Sequence, residues 1–128
     1  MTKEIQIGLL ASKLGLKLDQ LVRGVIVDLF NGVILDTRVE TGRMRGNWQT
    51  NIGEPISSET TRLDKITQHE RGGGAMDDVA AKVEPGKVNY LSNNIHYVQK
   101  WEDVDGMISK NVVRVERNID LKIKELNR

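Results

Sequence analysis

The sequence predicts an α+β fold, and three observations carry that prediction. Apolar side chains recur at helical spacing between about Lys17 and Asp36, at Leu18, Leu21, Val22, Val25, Leu29, Phe30 and Val33. A second stripe of the same kind runs from about Ser109 to the end, through Val112, Val115, Ile119, Ile123 and Leu126. Two short strand segments lie between them, without the regular strand and helix alternation of a doubly wound sheet. The expected architecture is a long N-terminal amphipathic helix and a C-terminal helix packed on a small, largely antiparallel β-sheet, with a long polar loop.

Taken in order, Ile5 to Leu14 reads as a short extra helix stopped by Gly15. In the long helix that follows, Gly24 and Gly32 lie near one face and point either to close approach by another element or to simple tolerance. Thr41 is placed to cap a short helical turn ended by Gly46. From Asn47 to Gly53 the pattern alternates, with Trp48, Thr50 and Ile52 on one face and Asn47, Gln49 and Asn51 on a wet one. Residues 54–74 are polar and finish in Gly72-Gly73-Gly74, which predicts a long mobile loop ordered by function or by a partner chain. Met76 to Val83 fits two turns of helix, Glu84 to Lys87 a tight turn, and Val88 to Ser92 a strand ended by Asn93-Asn94.

At 128 residues the chain is the size of one domain, taken as 1–128. It is lean, with 38% hydrophobic and 4% aromatic residues, so part of its stability is expected from neighbours. The 19 basic and 18 acidic side chains nearly cancel, which leaves no overall field for nucleic acid or an acidic membrane surface. The absence of cysteine excludes a disulfide framework, thiolate metal sites and thiol catalysis. Met1 to Leu10 lacks the pattern of a secretion signal, and no stretch approaches the roughly 20 apolar residues of a membrane span.

No pattern in the sequence points to catalysis, a metal or a cofactor. His69 has no second histidine at the spacing of a zinc motif and reads as a solvated loop residue. His96, among Asn93, Asn94 and Tyr97, reads as a turn residue, although with Glu102 it would be the acid-base pair of a small hydrolase. The three glycines lack the lysine and hydroxyl of a phosphate loop, and read as a flexible linker. Glu102, Asp103 and Asp105 lack the ligand alternation of a calcium loop and read as a solvated turn. Arg38, Arg43 and Arg45 form the densest basic patch, suited to inter-subunit hydrogen bonds or, in a rival reading as a nucleic-acid-binding accessory protein, to phosphates.

Two separated blocks carry a resemblance. The first is Asp36-Thr37-Arg38-Val39-Glu40-Thr41-Gly42-Arg43-Met44-Arg45-Gly46-Asn47-Trp48-Gln49 followed by Ile52-Gly53-Glu54-Pro55. The second is Val88-Asn89-Tyr90-Leu91-Ser92-Asn93-Asn94-Ile95-His96-Tyr97-Val98-Gln99-Lys100-Trp101-Glu102. In this order, with the valine-rich helix before and an amphipathic helix after, they resemble the neck, tail-completion or minor tail proteins of tailed bacteriophages. The stretch 103–108 is shorter than the corresponding connection in that family.

The resemblance implies a non-enzymatic virion protein without cofactor. Its copies would form a homo-oligomeric ring, sixfold or twelvefold, at the head–tail junction after assembly in the host bacterial cytoplasm. Its neighbours would be other neck, head-completion and tail-terminator proteins, with genomic DNA passing through unread and no membrane involved. The implied inter-subunit or channel contacts are Arg38, Arg43, Arg45, Asn47, Trp48, Asn93, Asn94 and Tyr97.

Overall fold

The computed structural model describes residues 3–126. Among these, the order of elements is α1 (Lys3–Leu14), α2 (Leu18–Leu35), α3 (Arg43–Gly46), β1 (Gln49–Ile52), α4 (Gly74–Lys82), β2 (Asn89–Ser92), α5 (Val98–Asp105) and α6 (Met107–Leu126). The fold is α+β, with helices packed on a two-stranded antiparallel sheet.

The α2 helix follows its apolar stripe almost to the residue. Lys17 contributes no side-chain cap, so burial of Phe30, Val33 and Ile34, rather than capping, holds the helix. Its C-terminal half meets the N-terminal half of α6, while α1 folds back against both after Gly15 takes a left-handed φ of 69°. The core gathers Phe30, Val33, Ile34, Met44, Trp48, Ala75, Met76, Val79, Val83 and Met107.

In the sheet, Gln49 pairs with Ser92, Thr50 with Leu91, Asn51 with Tyr90 and Ile52 with Asn89. A two-stranded ribbon is marginal alone. Here α4 lies against β1, and side chains serve the free edge of that strand. The Asp78 carboxylate accepts from the Thr50 amide at 3.0 Å, and Arg62 Nη2 donates to the Trp48 carbonyl at 2.6 Å.

Several expectations are corrected. Residues 54–74, expected to be a mobile loop or one ordered on a neighbour, form an irregular strap tied to their own chain, as described below. The triplet Gly72 to Gly74 leads into α4, with Gly73 as its N-cap and Gly74 as its first residue, rather than forming a flexible linker. There the Asp64 carboxylate accepts from the Gly74 and Ala75 amides, both at 2.9 Å, and satisfies donors that the helix leaves open.

Glu102, Asp103 and Asp105 lie in α5 rather than in a solvated turn. Glu102 accepts from the Ile108 and Ser109 amides at the start of α6, at 2.7 and 3.3 Å. The inward stripe of α6 is also shifted. Asn111 is buried where an apolar residue was expected, drawn in by donating to Asp36 and to the Met107 carbonyl, and Val112 faces outward. Asn47 is fully buried rather than wet.

The two glycines of α2 prove unlike. A Cβ built on Gly32 would collide with Asn111 Oδ1 and come within 2.6 Å of Arg114 Nη2, whereas one on Gly24 meets nothing within 4 Å. Both neighbours of Gly32 are themselves anchored, Asn111 on Asp36 and Arg114 on Asp28. Gly32→Ala is therefore expected to destabilise the chain by about 1–3 kcal/mol through overpacking. Gly24→Ala removes only backbone freedom from the unfolded chain and is expected to stabilise by about 0.5–1 kcal/mol. Urea unfolding of the two variants checks both signs.

Candidate functional site

The first sequence block turns Thr37, Arg45 and Asn47 inward and leaves Arg38, Glu40, Thr41 and Arg43 exposed. Gly42, at φ 86°, lets the chain enter α3, and its carbonyl accepts from the Asp64 amide at 3.0 Å. A Cβ at Gly42 would press on the Asp64 carbonyl at 2.6 Å, and one at Gly46 would strike the Arg62 carbonyl. Both glycines are thus needed because the strap passes directly over α3. The N-cap of α3 is Gly42, which has no side chain to cap with, rather than the expected Thr41; Thr41 Oγ1 accepts from the Arg43 amide at 3.2 Å as a local turn contact.

Arg45 is fully buried, and no carboxylate among the described residues forms a salt bridge with it. Its Nη2 donates to the carbonyls of Glu70 at 2.6 Å and Gly72 at 3.0 Å, so the strap meets one end of the guanidinium with backbone oxygen, while Nε is buried without a hydrogen-bond partner among the described residues. Burial pushes its pKa below the ordinary arginine value, against the opposing pull of Asp64 and Glu70. Asn47 forms a second bracket. Its amide nitrogen donates to the carbonyls of Arg43 and Thr60 while its oxygen accepts from the Thr60 amide at 2.8 Å. An asparagine side chain here substitutes for a stretch of strand pairing.

Trp48 is the anchor of the core, and its Nε1 donates to Thr37 Oγ1 at 2.8 Å. That hydroxyl donates in turn to the Val33 carbonyl at 2.8 Å. Truncating a buried tryptophan costs about 3–5 kcal/mol and a hydrogen bond contributes about 1 kcal/mol. Burial therefore supplies most of its stabilisation, while the hydrogen bond fixes its orientation.

The second block closes on the first. Asn93 Nδ2 donates to the Met44 carbonyl at 2.8 Å, and Asn94 Nδ2 reaches the strap at the Ile56 carbonyl, at 2.7 Å. Tyr97 is half-buried against the core and meets His96 edge to face at 5.0 Å. The asparagines therefore clamp the chain to itself. The same holds for Arg45, Asn47 and Trp48, whose burial corrects the expectation that they face a partner or DNA.

The three arginines are not a free basic patch. Arg43 is exposed and reaches Glu59 at 3.3 Å. Arg38 grips Asp105 with two nitrogens, Nη2 lying 2.8 Å from Oδ1, while its guanidinium sits 4.3 Å from the Trp101 ring centroid. Arg38 holds the Asp105 carboxyl below its ordinary value, chiefly through this hydrogen bond. His69 is exposed, with Nδ1 3.2 Å from Asp36, and His96 is exposed in a turn. Glu102, the proposed partner of His96, is engaged in capping α6.

The surface loop from Arg38 to Thr41 separates two openings. One is a shallow cavity of about 1140 Å³ beneath the strap, lined by residues including Lys65, His69 and Lys110. The other, of about 280 Å³, has Met44, Tyr97 and Trp101 as its floor and Arg38, Glu40 and Lys100 around its mouth. Trp101, Glu40 and Lys100 were not singled out from sequence. The available signal was the four-residue spacing of Tyr97 and Trp101, which puts both on one face of a helix.

Among the described residues, no helix is long and apolar enough to cross a membrane. No protein-family model matches the chain, nor does any curated protein or solved structure.

Replacing Arg45 by lysine keeps the charge but loses the planar fork that meets two carbonyls at once. The expected cost is about 2–3 kcal/mol, with new protease cutting concentrated in 54–74, and chemical denaturation with limited proteolysis reads both. A depressed carboxylate gives stability that is complete above its unfolded pKa, about 3.9, and is lost as pH falls through its lower folded value. Acid titration of Trp101 fluorescence should accordingly show release of Arg38 only below about pH 4. Arg38→Gln should abolish that transition.

Proposed function

We propose that this chain is a non-enzymatic structural protein of a tailed-phage virion, whose copies form a ring at the head–tail junction and complete or join the neck and tail. The observation that carries the reading is spatial. The two sequence blocks that resemble neck and tail-completion proteins are separated by the strap and α4, yet they fold as one unit. The paired strands come one from each block, Asn93 of the second reaches Met44 of the first, and Arg38 of the first stacks on Trp101 of the second. Residues that travel together in the resemblance thus share a physical task.

The distribution of apolar surface supports the oligomeric part. Leu14, Leu16 and Leu18 stand 45–51% exposed around the turn between α1 and α2, and Val104, Ile108, Val112 and Val113 are exposed where α5 meets α6. Leu63, Val88 and Leu121 are exposed singly and need no explanation, but these two groups mark surfaces that other protein covers. Copies of one chain meeting through different patches form closed rings when the rotation between them closes.

The expected neighbours are head-completion and tail-terminator proteins, with DNA crossing the ring without sequence-specific contact. The near balance of charge, and the engagement of Arg38, Arg43 and Arg45 within the chain, favour this over phosphate binding.

Phage particles assembled without this protein provide the test. Electron microscopy is expected to show filled heads and separate tails, with infectivity lost. Intact, infectious particles in its absence would reject the reading.

A further inference from the structure

We infer that the small aromatic-floored cavity beside Arg38 is a socket for the turn between α1 and α2 of a second copy of this chain, with Leu18 as the inserted side chain. The inference rests on the oligomeric part of the proposed function and names the contact that would build it.

The socket is apolar within and charged at its mouth. Met44, Tyr97 and Trp101 form the floor. Arg38 is already neutralised by Asp105, but Glu40 makes no hydrogen bond or ion pair among the described residues. Lys100 lies 5.0 Å from the centroid of the Trp101 ring and has no carboxylate partner among the described residues. The mouth therefore offers an anion that acts on Arg38 only through its charge and a cation that rests on the Trp101 ring, both without a salt bridge among the described residues, above a greasy pit.

The turn carries the converse arrangement. Leu18 is 48% exposed, and its chain neighbours are Lys17 and Asp19, both exposed and without an ion pair among the described residues. Seating Leu18 on the ring floor brings Lys17 toward Glu40 and Asp19 toward Lys100, so apolar burial and charge complementarity select the same occupant. Leu14, 51% exposed at the end of α1, would add to the apolar contact.

A single copy cannot satisfy itself. The turn precedes α2 and the socket follows it, and an 18-residue helix separates its ends by roughly 27 Å at 1.5 Å per residue. One copy's turn can reach only another copy's socket. The contact is head to tail, so each copy uses both halves and the association propagates.

Charge reversal with rescue, read by the mass and self-association constant of the purified chain in an analytical ultracentrifuge, tests this. Lys17→Glu and Glu40→Lys are each expected to weaken self-association by about tenfold or more, and the doubly changed chain to recover most of the loss. Leu18→Asp should give a monomer with an unchanged circular dichroism spectrum. The absence of cysteine permits a second measurement, in which Leu18→Cys and Lys100→Cys chains, mixed and treated with a short bis-maleimide, form a joined pair that neither forms alone.

Self-association indifferent to both reversals would overturn the socket while leaving a ring built on another surface intact. A chain that stays monomeric at high concentration would overturn the socket too, and the particle experiment then judges the virion reading separately. Cross-linking of Lys100→Cys in particles to a different virion protein would overturn the assignment of the occupant.

Discussion

The arrangement depends on one buried cation. A guanidinium removed from water without a carboxylate partner is tolerable only where oxygen surrounds it, because stranding a buried charge is far costlier than stranding a neutral amide. Arg45 finds that oxygen in the carbonyls of Glu70 and Gly72. Those carbonyls belong to a segment with almost no apolar content, which has no core of its own to fold around. The strap is ordered because Arg45 needs its backbone, and Arg45 is buried because the strap covers it. The left-handed Gly42 and the bare Gly46 are the steric conditions under which the two can meet.

This bracket explains how so small a sheet can organise six helices. The strands β1 and β2 alone form a ribbon of four paired positions, and β1 would otherwise show its second edge to solvent. Asn47, Arg62 and Asp78 occupy that edge with side-chain donors and acceptors, and the strap supplies Thr60 as an additional backbone partner. Trp48 then seats in the core with its indole nitrogen held by Thr37, which ties the sheet to the last turn of α2. Polar interactions set positions here, and apolar burial supplies most of the stability.

What could be read in the sequence follows the same division. The bounds of α2, the short α1, the α4 helix and both strands were legible, because apolar periodicity and turn chemistry are local properties. The strap, the acidic end of α5 and the inward Asn111 were not. Each is made of polar residues whose partners lie far along the chain: Arg45 with Gly72, Arg38 with Asp105, Asn111 with Asp36. Arg45 was the most misleading of the candidate site residues, since an arginine is read as surface unless its partners are known. The neighbouring glycines were the available warning. Two glycines bracketing a short basic turn signal a backbone approaching closely from elsewhere, and a chain so near would cover the arginine between them.

The buried Thr37, Arg45 and Asn47 bear on how copies of the proposed ring would meet. Side chains spent on internal brackets offer little to a partner, so in the proposed ring contact would fall to the apolar groups left outside: the leucines before α2, the aromatic floor after it and the valines where α5 joins α6. If the first two engage, α2 becomes the strut between one contact and the next. Its length fixes the spacing of copies, and Gly15, whose left-handed conformation turns α1 away before α2 begins, governs how the leucines are presented. A rotation repeated through a rigid strut closes or spirals according to its angle alone. Copy number in such a ring would thus be written into the tilt of α2 against the socket, and the bracketed core is what keeps that tilt from varying between copies.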